Sequence, residues 1–240
     1  MSLKSVLRVT LTTFALAGVM SPAMADDVDL RFGGTQEDFD LAMQDLQAAF
    51  SFKPLAPAEP LGITGFHAGL IASYTGIENE QAWRNISGGQ DFEDLGMVAI
   101  AAGKGLPFGI DIGAFIADVP NSNVNLFGAE LRYAFAEGGV ATPAIGLRLA
   151  YTRLNGVDEL DLDTKSIDIS ISKGFTLLTP YVGVGRVFSS ATPHVEDPVL
   201  GVPAYRKSDN SDNKFYGGVR ISLTLLQVSA EIDQTGENTS

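Results

Sequence analysis

The stretch KSIDISISK, residues 165–173, sets Ile167, Ile169 and Ile171 on one face of an extended chain and Ser166, Asp168, Ser170 and Ser172 on the other. Alternation with period two, β-branched on the apolar side, marks a strand with one face in an apolar medium. The same alternation recurs on both sides of it. Residues 144–154 oppose Ile145, Leu147, Leu149 and Tyr151 to Arg148 and Thr152, and residues 124–135 oppose Phe127, Leu131, Tyr133 and Phe135 to Glu130 and Arg132. Residues 108–118 carry Phe108, Ile110, Ile112, Ala114 and Ile116 against Asp111. Residues 62–74 carry Phe66, Ala68, Leu70, Ala72 and Tyr74 against Gly65, His67, Gly69 and Ser73. Toward the C-terminus, residues 215–223 oppose Phe215, Val219, Ile221 and Leu223 to Tyr216, Arg220 and Ser222. Residues 226–233 oppose Leu226, Val228, Ala230 and Ile232 to Gln227, Ser229, Glu231 and Asp233. Residues 95–104 and 181–188 read as strands too, but are too uniformly small or apolar for their faces to be told apart.

The polar face is what discriminates between architectures. A soluble sandwich would bury Arg132, Arg148, Arg220, Asp168 and Glu231 in its core, at several kcal/mol for each unpaired charge. A lipocalin-like soluble barrel would invert the pattern, apolar within and charged without. A transmembrane antiparallel up-and-down β-barrel turns the apolar face to lipid and the polar face to a wet lumen. Asp111, Glu130, Arg132, Arg148, Asp168, Arg220 and Glu231 are then expected to form a ladder of ion pairs in that lumen. Tyr74, Tyr133, Phe135 and Tyr151 lie near strand ends on the apolar face, as an interfacial aromatic girdle does. Connection lengths alternate, with the longer ones at residues 75–94, 119–123, 155–164 and 190–213, as expected of external loops facing short periplasmic turns.

Lys4 and Arg8 form a positive n-region, residues 9–19 an apolar h-region, and Ala23-Met24-Ala25 a cleavage site. The pattern is that of a secretory signal peptide over residues 1–25. The apolar run is shorter than the roughly 20 residues a spanning helix needs. Cleavage would remove two positive charges, taking the net charge from −13 to −15. That acidity speaks against a nucleic-acid partner. An exported chain with no cysteine has no disulfide scaffold and no thiol chemistry.

Residues 26–60 are read as a periplasmic segment. Thr35 with Asp38 makes a capping-box start, and Phe39, Ala42, Met43, Leu46, Ala49 and Phe50 form one apolar stripe, with Asp40, Gln44, Asp45 and Gln47 off it. Pro54, Pro57 and Pro60 make the following linker stiff. A short amphipathic helix here can plug the barrel, pack on its rim or bind a partner, and packing against the mouth is the simplest expectation.

The barrel itself spans residues 61–240. Nine strands are visible, whereas closed bacterial barrels have even numbers, so ten are expected in the complete protein. The expectation is a chain lacking its closing strand, with free edges on the first and last strands and a gap one strand wide. Closure into a strained nine-stranded ring is the alternative.

Signals for chemistry are weak. Asp158, Asp161 and Asp163 offer hard oxygen ligands for Ca²⁺ or Mg²⁺, with a solvated loop as the plainer reading. Asp209-Asn210-Ser211-Asp212-Asn213 resembles a calcium loop but lacks its glycine and closing glutamate. His67 could couple to Asp111 or Asp168, and His194 to Glu196 or Asp197, as a protease of the omptin kind would require. Neither spacing is diagnostic, so no enzyme activity, catalytic residue or cofactor is expected.

The arrangement resembles small bacterial outer-membrane β-barrel proteins of eight to ten strands. Lys104-Gly105-Leu106-Pro107-Phe108, the acidic stretch 158–163 and the turn 137–140 look like those of uncharacterised proteobacterial members. The resemblance implies a monomer in the outer membrane, with lipid and lipopolysaccharide around it and the barrel-assembly machinery as its partner during insertion. Such proteins usually end in a strand with a terminal aromatic, where this chain has Ser240. The expected function is a narrow channel or transporter for small or lipophilic molecules. The alternatives are a non-conducting structural or surface-interaction barrel with a salt-bridged lumen, and an omptin-like protease.

Overall fold

The structure, a computed structural model, describes residues 9–12 (backbone), 33–120, 122–195, 204–223 and 226–240. Its strands are β1 (Val9–Thr12), β2 (Phe66–Gly76), β3 (Asp94–Gly105), β4 (Ile110–Asp118), β5 (Asn125–Glu137), β6 (Ala144–Asn155), β7 (Leu160–Ser172), β8 (Leu178–Pro193), β9 (Ser208–Leu223), β10 (Leu226–Thr235) and β11 (Asn238–Thr239). Helix α1 (Gln36–Phe50) precedes β2, and helix α2 (Glu80–Ile86) lies between β2 and β3. From β2 to β11, ten strands follow in antiparallel succession and make a nearly closed barrel. The tenth has only two residues. Because β2 to β10 are odd in number, β2 and β10 run the same way. Among the described residues no pairing joins them directly. Strand β1 lies between them, parallel to both.

The alternation sorts residues as the pleat demands. Leu70, Ile100, Ile116, Leu131, Leu149, Ile169, Val184, Phe215 and Ile232, one from each long strand, are all exposed on the outside. Residues 95–104 show why their faces were illegible. Leu95, Met97 and Ala99 are buried inside while Val98 and Ile100 are exposed outside, so both faces are apolar. The same holds on β8, where Val187 and Ala191 face in and Val182 and Val184 face out.

Four inward rings lie flat across a glycine of the next strand. They are His67 over Gly103, Phe115 over Gly128, Tyr216 over Gly183 and Tyr181 over Gly218, each a directly opposed pair. A Cβ on any of these glycines would collide with the ring it carries. The glycines keep the inner wall low enough to admit more chain.

That chain is α1 and the linker after it. The helix starts at the end of the barrel that holds the longer connections, where its Phe39 ring stacks on Tyr205 at 4.9 Å. It ends inside, with Phe52 against Phe115 and under the Arg148 guanidinium. The helix therefore fills the barrel and does not pack on its mouth, a correction to the sequence reading. Asp45 and Gln47 lie off the apolar stripe yet are fully buried. Asp45 accepts hydrogen bonds from Trp83 Nε1 (2.9 Å), Asn79 Nδ2 (3.0 Å) and Asn238 Nδ2 (2.7 Å). Gln47 Oε1 accepts from Ser189 Oγ at 2.7 Å. Glu37 and Gln44 stay exposed, but around Asp45 and Gln47 the helix is enclosed, so these polar residues need protein partners. The capping box forms as the sequence indicates, and Thr35 N–H holds the Asp38 carboxyl below its ordinary pKa.

Two further corrections concern strand ends, and one finding concerns a connection. Strand β7 begins at Leu160, so most of the acidic stretch 158–163 is strand, with Leu160 and Leu162 buried inside and Asp161 exposed. Strand β9 begins at Ser208, so the calcium-loop-like residues 209–213 are paired with β8. The connection at residues 75–94 contains α2, whose Trp83 and Ile86 pack on α1. In the β7 extension the pattern is inverted, with Leu160 and Leu162 inside and Asp161 outside, and in the β9 extension residues 208–214 are polar on both faces, so neither shows the apolar-outward alternation. Trp83 closes this upper core by packing on Phe92 (5.0 Å) and donating to Asp45. Trp83→Ala is expected to cost about 3–5 kcal/mol in urea unfolding of the folded protein. Gln81→Ala, on the exposed face of the same helix, should stay within about 0.5 kcal/mol of the parent.

Candidate functional site: the lumen

Residues 51–62 leave α1 and cross the lower half of the barrel to the start of β2. Their backbone is irregular, and it crosses a space walled by strands. Every peptide group there needs a partner. Pro54, Pro57 and Pro60 lack N–H donors and reduce the demand. Strand side chains meet the rest. Leu55 N–H donates to Glu231 Oε2 (2.9 Å), Ala58 N–H to Ser172 Oγ (3.1 Å) and Leu61 N–H to Asp111 Oδ1 (3.0 Å). The carbonyls of Phe52, Leu55 and Pro57 accept from Lys214 Nζ (2.9 Å), Arg220 Nη2 (3.4 Å) and Arg132 Nη1 (3.4 Å).

Charge pairing adds a second layer. Arg148 Nη2 stands 2.7 Å from Asp168 Oδ2, with both side chains buried, and Asp168 also accepts from Tyr216 Oη at 2.7 Å. Arg132 pairs with Asp111 at 2.7 Å and lies 3.9 Å from Glu130. Lys53, from the linker itself, pairs with Asp233 at 3.1 Å, and Lys214 lies 3.7 Å from the same carboxylate. The structure thus brings Asp111, Glu130 and Arg132 together, and Arg148 with Asp168. It does not pair Arg220 with Glu231, both of which are turned to the backbone of Leu55. Residues 51–62 leave a small cavity of about 60 Å³ lined by Phe52, Leu55, His67, Glu130, Arg220 and Ser229, room for a few waters.

Sequence reasoning missed Lys53, Lys214 and Asp233 as a group. Asp233 is on the polar face by sequence, but Lys214 falls between the loop at 190–213 and the strand at 215–223, and nothing local ties Lys53 to either. On the outside, Tyr74 and Tyr151 sit toward the long-connection end and donate to Asp94 and Asp163 of the neighbouring strand. Tyr133 and Phe135 sit toward the opposite end, edge to face with centroids 5.7 Å apart.

The remaining candidates are scattered. Asp161 faces His194 (3.0 Å) and Arg153 (3.7 Å), Asp163 takes the Tyr151 phenol, and Asp158 lies in the turn before β7. Among the described residues no group of three ligating side chains comes together. Asp111 and Asp168 are already taken by the linker and by arginines, and His67 lies over Gly103. Glu196 and Asp197, weighed as partners of His194, lie outside the described residues.

Comparison with protein-family models, curated proteins and solved structures finds no match for this chain.

The buried Arg148–Asp168 pair is the most exposed to test. Arg148→Ala leaves Asp168 buried without its cation and is expected to cost about 3–5 kcal/mol in urea unfolding. The double variant Arg148→Met with Asp168→Leu should recover a large part of that loss, because two apolar side chains leave no charge unpaired.

Proposed function

We propose that the chain is an integral outer-membrane β-barrel whose lumen is plugged by its own N-terminal segment. In this reading it is a non-conducting structural or surface-interaction barrel and not an open channel. The observation that carries it is the pairing of an apolar outside with a filled inside. Every long strand presents large apolar side chains outward, a continuous belt far beyond the few hundred Å² that soluble monomers expose. Inside, α1 closes the half with the longer connections and residues 51–62 cross the other half. Lipid and lipopolysaccharide would cover the belt, and an export leader over residues 1–25 accords with that address. Of the leader, only residues 9–12 are described.

With the longer connections outside the cell, α1 would sit in the outer half of the lumen and not on the periplasmic side. The linker would then run inward to β2. The channel reading requires this plug to move, which means releasing Lys53 from Asp233 and the linker from Asp111 and Glu231.

Two measurements test the proposal. In planar lipid bilayers the full chain should be silent. Lys53→Glu, which sets a third acid beside Asp233 and Glu231, should give conductance steps. Steady conductance of the parent would overturn the plugged reading. For orientation, Gln81→Cys should react with a membrane-impermeant maleimide on intact cells, and Val140→Cys in the opposite turn only after the outer membrane is permeabilised. Equal labelling of both in intact cells would remove the membrane reading.

A further inference from the structure

We infer that the seam between β2 and β10 is an acceptor groove for one extended amphipathic strand, running antiparallel to both edges. This rests on strand pairing and holds whether or not the barrel lies in a membrane. In the full chain, leader included, two short pieces already lie in the seam and measure its width. At the end where β2 starts, Leu11 is in register with both Ala68 of β2 and Leu226 of β10. At the other end, Ser240 exchanges backbone hydrogen bonds with Asp233 and shares a 2.7 Å hydroxyl contact with Thr75 of β2. Asn238 Nδ2 reaches Gly76 O at 3.1 Å. Ala68 to Thr75 and Leu226 to Asp233 are equal steps along the two strands. The edges are therefore level at both ends of the seam.

Between these pieces, the seam-facing backbone of residues 70–74 and 228–232 has no strand partner among the described residues. Such paired open edges bind extended chains, because main-chain hydrogen bonds give affinity and alternate side chains give selectivity. The flanks state the occupant's chemistry. Outward neighbours are Leu70, Tyr74, Val228 and Ile232, so its outward residues are apolar. Inward neighbours are Ile71, Ser73, Ser229 and Glu231, so its inward residues are small, and polar where they face Ser73, Ser229 and Glu231. Its direction is that of β11, which already runs antiparallel to β10.

The chain has no cysteine, which makes the test direct. Ile71→Cys and Ser229→Cys each place one thiol at mid-seam, on opposite edges at one height. The probe is a peptide of about eight residues with apolar side chains at alternate positions and one cysteine on its polar side. It is offered to the full chain in detergent micelles under mild oxidation, beside a shuffled peptide of the same composition. Both variants are expected to trap the alternating peptide at least about tenfold better than the shuffled one. Equal trapping of the two peptides would overturn the inference. So would a ready disulfide in the double variant without peptide, since that bond needs Cα atoms within about 7 Å whereas a one-strand gap holds them about 10 Å apart. Disulfide dimers of the single variants that exclude the peptide would also overturn it, by assigning the seam to a second copy.

Discussion

The backbone of residues 51–62 needs hydrogen-bond partners, and much of the lower barrel is arranged to supply them. An irregular chain in a walled lumen cannot satisfy itself as a helix does. Asp111, Glu231 and Ser172 accept its N–H groups, and Lys214, Arg132 and Arg220 donate to its carbonyls. The inward charges are therefore more than a ladder that holds strands together. They cradle a threaded segment, and the arginine–carboxylate pairs keep those same side chains aimed. Three prolines in the segment fit this scheme, since each removes a donor that would otherwise need a carboxylate.

The helix above imposes a different requirement on the same strands. Where α1 lies, inward positions turn apolar, as at Leu126, Leu154, Leu160 and Leu162. Where the linker lies, they turn polar. One strand can carry both regimes, as β6 does with Arg148 low in the lumen and Leu154 high. The glycines under His67, Phe115, Tyr181 and Tyr216 let large inward rings lie against the wall, so that the helix and linker still fit between opposite sides.

Strand parity sets the closure. Antiparallel succession from β2 to β10 leaves first and last strands parallel, and each shows an open edge to the other. The short pairs made by β1 and by residues 238–240 satisfy the ends of those edges, and among the described residues no strand pairs with their middles. The two edges are level at both ends, since Ala68 to Thr75 and Leu226 to Asp233 are equal steps along them.

By itself the sequence determined the nine long strands and the outward faces of seven of them, because most outward positions of each strand meet one apolar medium. It also determined the capped helix and the stiff linker, which are local properties. It did not disclose where the helix lies or which charges meet. Asp45 and Gln47 looked like solvent-facing residues on an amphipathic helix and proved to be buried polar anchors. Lys53, Lys214 and Asp233 come from three distant stretches of chain. The long runs of β7 and β9 were hidden because Leu160 and Leu162 face inward while Asp161 faces out, the reverse of the pattern elsewhere, and because residues 208–214 are polar on both faces. Only the tertiary structure decided these points, since the polarity of an inward position depends on what fills the lumen at its height, and that filling comes from residues far away in the chain.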